Sequence, residues 1–350
     1  MKRTGNLFDR LVEFDNLYLA FHKALLGKKQ RTDCADYAFR QEEELFRLQA
    51  DLKNKQYRPG GYRTFFVYEK KTRMISAAPF RDRVVHHALC NILEPLFEPG
   101  FIFDSYANRK CKGVHAAVKR CSHYAAQFTY VLKCDIRKYF ASIDHQILKN
   151  LIRRRIKDRD VLWLADRIID GSNEQEFCLC YFPGDNLFTP LDRRRGLPIG
   201  NQTSQFFANV YLNPLDHFVK EDLRCPGYIR YVDDFIVFGR SKKELWEWGK
   251  AIKSLLLRYR LIIHPNKFQV MPVRCGFAFL GYRIFPYHRI LPKENILRFR
   301  RRLEKMKHEY EKGAIDLQTI RLSISGWLGH AIQADSFRVR KKIFSGCDLI

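Results

Sequence analysis

The stretch YVDDF, Tyr231 to Phe235, sets two adjacent carboxylates between the apolar runs Tyr228 to Val232 and Phe235 to Phe238. Consecutive strand residues point to opposite faces, so in an unbroken strand one of the two acids would be driven into the core. A tight turn removes that conflict. GYIRYVDDFIVFG, bounded by Gly227 and Gly239, therefore predicts strand, turn, strand, with both carboxylates free to converge on a cation. An ordinary turn is the competing reading, because Asp is a common turn residue.

What surrounds the pair favours chemistry on a polyanion. The chain carries 63 Lys and Arg against 38 Asp and Glu, a net charge of +25, which predicts an anionic partner, most simply nucleic acid. With 350 residues, 46% of them hydrophobic and 14% aromatic, it has enough apolar content for a sizeable core in two or three compact units. The ten cysteines are scattered, the nearest pair being Cys178 and Cys180, so they fit neither a zinc site nor a disulfide framework and are expected to be reduced core thiols. The N-terminus lacks the apolar stretch of a signal peptide, and no run approaches the ~18 apolar residues of a membrane span. A cytoplasmic protein with no membrane partner is the expectation.

Along the chain, residues 1–60 carry helical periodicity, with Leu45, Leu48 and Leu52 on one face, up to the break at Pro59, Gly60 and Gly61. TFFVYEKKTRMIS predicts a hairpin with a charged tip, and RVVHHALCNILEPLF a buried helix stopped near Pro95. FTYVLKCDI predicts a strand ending in Asp135, followed by a helix with Ser142 as candidate N-cap. TSQFFANVYLNPLDHFVKEDL predicts a long amphipathic helix that tolerates one proline. From Pro292 to Lys342 there are 13 Lys and Arg against 6 Asp and Glu, on segments with helical spacing such as Leu297, Leu303 and Met306. Such a basic appendage suits phosphate backbones, or is simply a solvated helix face. The fold class is α+β.

Two-metal phosphoryl transfer needs a few carboxylates around two divalent ions about 4 Å apart, and magnesium suits such hard oxygen ligands. Asp135, at a strand end, is the best candidate for a third acid beside Asp233 and Asp234.

Read in order, SYANRKCKGVHAAV, VLKCDIRKYFASIDH, GLPIGNQTSQFFANVYLNPLDHFV, YIRYVDDFIVF, LIIHPNKFQV and FAFLGYRIF resemble the successive blocks of reverse transcriptases over roughly residues 61–290. The resemblance implies a right-hand polymerase: an N-terminal helical extension at 1–60, fingers at 61–127, a palm at 128–290 with a fingers insertion at about 155–197, and a basic helical thumb at 291–350. It implies that Asp135, Asp233 and Asp234 hold two Mg2+ ions, with the carbonyl of Ile136 as a further ligand. Phe140 would be the aromatic gate that selects deoxynucleotides. Arg73 would neutralise the incoming triphosphate, and Lys267 would protonate departing pyrophosphate. Phe279, Leu280, Gly281 and Tyr282 would form the primer grip.

Most bacterial relatives read Pro-Gln-Gly at the start of the fourth block and Ser-Pro shortly after. Here the chain reads Pro198-Ile199-Gly200 and Thr203-Ser204-Gln205. That combination is similar to the reverse transcriptases of diversity-generating retroelements, and the likeness extends to NLFDRLVEFDNLYLAFHKALLGKK and RDRVVHHALCNILEPLFE, covering nearly the whole chain. Members of that bacterial and phage-encoded family copy a template-repeat RNA into cDNA with errors at adenines. The implied partners are that RNA, the nascent cDNA, dNTPs and a small basic accessory protein that forms a helical ring. Alternatives are an intron, retron or defence enzyme, or a non-catalytic RNA-binding scaffold. An intron enzyme is expected to add maturase or endonuclease segments, for which the length to Ile350 leaves no room, and Ile199 and Gln205 disfavour a retron.

Overall fold

The computed structural model describes residues 3–68, 72–173, 175–176 and 180–345. Lys70 and Lys71, at the expected charged tip, and Cys178 lie outside the described residues. The described chain is α+β, with nine strands in three separate antiparallel sheets.

The four-stranded sheet is central, in the order β4–β5–β3–β6, from β3 (Tyr130–Asp135), β4 (Gly227–Tyr231), β5 (Asp234–Gly239) and β6 (Gln269–Pro272). Its strands are β-branched and aromatic, and both faces are covered. Leu132, Cys134, Phe235 and Val237 face the larger core, whereas Val131, Ile229, Ile236 and Phe238 face a smaller one. This two-sided burial explains why Phe235 to Phe238 is apolar without alternation.

Two smaller sheets flank it. β1 (Arg63–Tyr68) and β2 (Thr72–Ala77) form a hairpin, and β7 (Phe277–Phe279), β8 (Tyr282–Ile284) and β9 (Arg289–Ile290) a short meander. The N-terminal helices Phe14–Leu25 and Gln41–Lys53 share the larger core, with Leu17, Leu45, Leu48 and Leu52 fully buried. Tertiary packing therefore joins them to the central sheet through the helix Phe80–Phe97.

The helix Phe80–Phe97 does stop near Pro95, two residues beyond it. Several other local expectations are corrected. The helix His145–Arg153 is capped by Asp144, whose Oδ1 accepts the Ile147 N–H at 3.0 Å, while Ser142 closes the preceding short turn. A carboxylate at that end also gains from the helix dipole. Helix Gln202–His217 carries Pro214, but is buried nearly all round, including Thr203, Ser204, Asn209 and Asp216, rather than amphipathic. In the basic helix Lys293–Glu311 the buried stripe is Phe299, Leu303 and Met306, whereas Leu297 is 40% exposed. Phe299 instead stacks on Trp327 at 4.1 Å.

Among the described cysteines Cys34, Cys90, Cys121, Cys134 and Cys225 are buried, but Cys111 and Cys275 are exposed. Among the described residues no helix is long and apolar enough to cross a membrane.

Candidate active site

β4 and β5 pair with Tyr231 opposite Asp234, leaving Val232 and Asp233 as the turn between them. Two-residue hairpin turns favour positive φ, and Val232 takes φ +56°. For a β-branched residue that conformation costs ~1–3 kcal/mol, so something must hold it. Asp233 alone occupies the tip, and Asp234 is the first residue of β5.

The third acid is close. β3 pairs with β5 so that Asp135 lies directly opposite Asp234. Directly opposed residues of antiparallel strands project to the same face with Cβ atoms about 5 Å apart, which sets these two carboxylates side by side. The Asp233 carbonyl accepts the Ile136 N–H at 3.2 Å, tying the tip to the end of β3. Beyond it, Ile136 bridges to Ile263, and the Asp135 carbonyl accepts the His264 N–H at 2.8 Å.

The electrostatics follow from this crowding. Burial pushes the Asp234 carboxyl up to about 7, Lys133 pulls it back, and Asp135 and Asp233 push it further. Burial and then Asp135 raise Asp233 to about 6, against the pull of Lys267 and Arg73. Lys267 Nζ donates to Asp135 Oδ2. Lys133 Nζ lies 3.9 Å from Asp234 Oδ2 and donates to the Ala278 carbonyl at 2.7 Å, which links the acids to β7. Asp234 Oδ1 is buried and finds no hydrogen-bond partner among the described residues.

The remaining candidate positions lie on several elements. Phe140 is half-buried against the larger core, and its carbonyl accepts the Leu197 N–H at 2.9 Å. That bond brings Pro198, buried, and Ile199, half-buried, alongside it. The Ile199 carbonyl in turn accepts the Ser76 N–H of β2 at 3.0 Å. Gly200 takes φ +116°, and a Cβ there would stand 3.1 Å from Ile75 of the same strand. Gln205 is half-buried on the first turn of the central helix. Arg73 is exposed on β2, near enough for its charge to act on Asp233. Phe279 and Tyr282 are buried at the ends of β7 and β8, joined by Leu280 and Gly281 with φ +46° and +88°. Tyr282 Oη donates to the His330 carbonyl at 2.9 Å, fastening this hairpin to the helix Leu317–Ala331.

Sequence reasoning missed the polar supports. Arg230 sits within the otherwise apolar run Tyr228 to Val232, and a charge in the middle of a core strand is itself a signal. Lys133 and Asp216 have no comparable mark, since surface positions on strands and helices carry the same residue types.

Residues 53–284 match the family described as reverse transcriptase (RNA-dependent DNA polymerase). The chain belongs to the reverse transcriptase family. Every candidate site position from Arg73 to Tyr282 lies inside the matched residues. A reverse transcriptase domain implies the palm, fingers and thumb arrangement, and the mixed helices and antiparallel sheets agree with it. The chain is 26% identical to Protein YkfC of Escherichia coli (strain K12) over 219 residues, 60% of this chain and 51% of that protein. It is 27% identical to the Group II intron-encoded protein LtrA of Lactococcus lactis subsp. cremoris over 351 residues, 79% of this chain and 56% of that one. A shorter stretch of 96 residues, 27% of this chain and 14% of the relative, is 30% identical to Nuclear intron maturase 1, mitochondrial, of Arabidopsis thaliana. The chain thus spans about half the length of the first two relatives.

Polymerases of this chemistry use divalent ions such as Mg2+. The donor set fits: three carboxylates on one sheet edge, one oxygen of them buried and unbonded, in a pocket that penalises unneutralised charge. Among the described residues no three His, Cys, Asp or Glu side chains already form a metal cage.

Proposed function

We propose that this chain is an RNA-directed DNA polymerase that extends a DNA strand on an RNA template from dNTPs. The observation that carries the reading is the cross-strand pairing of Asp135 with Asp234, one residue from Asp233, inside the matched family residues. Asp135, Asp233 and Asp234, with the Ile136 carbonyl, would hold two Mg2+ ions. Those ions supply an activated primer hydroxyl and charge neutralisation at the leaving pyrophosphate.

The chain's own groups do the rest. Arg73 binds the triphosphate from β2. Phe140 stacks beneath the sugar and excludes a 2′-hydroxyl. Lys267 Nζ gives a proton to the pyrophosphate oxygen as the bond to the α-phosphorus breaks. Pro198, Ile199, Gly200 and Gln205 line the nascent base pair, and the hairpin Phe279–Tyr282 grips the primer end. The basic helices beyond Pro292 follow the duplex backbone.

Within this activity we assign the chain to the diversity-generating retroelement type, with a template-repeat RNA and a small basic accessory protein as partners. Ile199 supports this: glutamine there would hydrogen-bond the nascent pair, whereas isoleucine offers only apolar contact and discriminates less. The intron names of several relatives favour a second reading, a group II intron-type enzyme.

Primer extension on an RNA template with Mg2+ tests the activity, and an Asp135→Asn protein that still makes cDNA would overturn it. Sequencing the cDNA separates the two subtypes. Errors concentrated at template adenines and reduced by Ile199→Gln support the retroelement type, and errors spread evenly over the four bases remove it.

A further inference from the structure

Arg230 and Asp216 are both fully buried, and they meet as a bidentate pair. Arg230 Nε donates to Asp216 Oδ1 at 2.7 Å and Nη2 to Oδ2 at 2.6 Å. Tyr228 Oη adds a third hydrogen bond to the same carboxylate at 2.8 Å. The remaining arm of the guanidinium reaches elsewhere. Nη1 donates to Asn209 Oδ1 at 3.2 Å and to the Val232 carbonyl at 3.0 Å, while Asn209 itself donates to the Ala107 carbonyl at 2.8 Å.

Val232 is the residue with φ +56° whose neighbours in the chain are Tyr231 and Asp233. A guanidinium is a rigid planar fork, so fixing two of its nitrogens on Asp216 fixes the direction of the third. The backbone of Arg230 is pinned as well: its N–H donates to the Asp104 carbonyl and its carbonyl accepts the Tyr106 N–H, both at 3.0 Å. A buried ion pair is commonly no better for stability than apolar residues of the same volume. Its position here, one hydrogen bond from the strained Val232 turn that carries Asp233 and leads into Asp234, gives it a different use.

We propose that Arg230, held by Asp216 and Asn209, is a positioning residue that locks the Val232 turn and so sets the divalent-metal affinity of Asp233 and Asp234. The inference rests on the polymerase reading above. It predicts that the pair can be removed without unfolding the chain, but not without loosening the metal site.

Two variants of the full chain test it, Arg230→Lys and the apolar double variant Arg230→Met/Asp216→Leu. Lysine keeps the charge beside Asp216 and loses the arm to Val232. Mn2+ binding followed by electron paramagnetic resonance is the readout, with circular dichroism melts and the Mg2+ concentration for half-maximal primer extension alongside. Both variants should melt cooperatively, bind Mn2+ about tenfold or more weakly, and need correspondingly more Mg2+, with template affinity unchanged. A folded variant of either kind that binds Mn2+ as tightly as the parent overturns the proposal. So does equal weakening of template and metal, which marks a general loss of structure. Asp233→Asn separates the two levels: if it leaves DNA synthesis intact, the polymerase reading fails and this inference with it. If it abolishes synthesis while the Arg230 variants match the parent, only this inference fails.

Discussion

Two hairpins bring charged residues to the same place and are built in opposite ways. In β4–β5 the side chains of Arg230 and of Phe235 to Phe238 are completely buried, and the tip is tied to β3 and to Arg230. In β1–β2 the aromatic rings stand in solvent, with Phe66 56% and Tyr68 79% exposed. That hairpin is fastened near its base, where Ser76 meets Ile199, Asn173 and Asn201. The contrast teaches a division of labour. On the proposed function, carboxylates that would hold cations at a fixed spacing sit on a packed sheet, whereas the arginine that would meet an arriving nucleotide sits on an exposed hairpin.

The largest expected effect would break the comparison if it failed. Asp234→Asn should lower DNA synthesis by at least ~10³-fold without lowering the melting temperature, because a neutral amide escapes the burial penalty on the carboxylate. A collapse of the melting transition would make Asp234 a structural acid. Next, Lys267→Met should reduce kcat by about 10²-fold and leave KM for dNTPs nearly unchanged. An unchanged kcat would reduce this lysine to a counter-ion of Asp135.

For the exposed arm, Arg73→Ala should raise KM for dNTPs about tenfold and leave the melting temperature alone, since surface changes rarely shift stability. An effect on kcat alone would move Arg73 from binding to the transition state. The smallest effect is on stability against pH. Asp233 and Asp234 have folded values of about 6 and about 7, above the ~4 of an unfolded carboxylate. Their contribution is fully present below about pH 4 and lost as pH rises through those folded values. Burial also lowers His86 to about 3 and His87 to about 4, which acts oppositely and costs stability as pH falls below ~6.5. The useful quantity is therefore the difference between parent and Asp233→Asn/Asp234→Asn. In calorimetry the variant should gain a few degrees over the parent at pH 8, but not at pH 4, and added Mg2+ should narrow the gap.

Much of the site was legible because its signals are local. The conflict of two adjacent acids in a strand predicts a turn at the pair, which forms one residue earlier, at Val232 and Asp233, and the apolar run before Asp135 predicts where β3 ends. Leu45, Leu48 and Leu52 give their helix face by spacing alone. Other assignments failed where a neighbour decided. Asp144 caps the helix assigned to Ser142, and burial on every side overrode the amphipathic expectation for Gln202–His217. The Arg230–Asp216 pair was hidden because its partners belong to different elements and only packing brings them together.

The sequence by itself determined the alternation of strand and turn around Tyr231 to Phe235, the acid that ends β3, and the family, since backbone periodicity and short motifs are properties of neighbouring residues. Only the tertiary structure decided that Asp135 faces Asp234, that Lys267 and Lys133 lie against those carboxylates, and that a buried arginine donates to the Val232 carbonyl. The reason is physical: cross-strand register and the cost of burying charge depend on the whole packed core, which no short window contains.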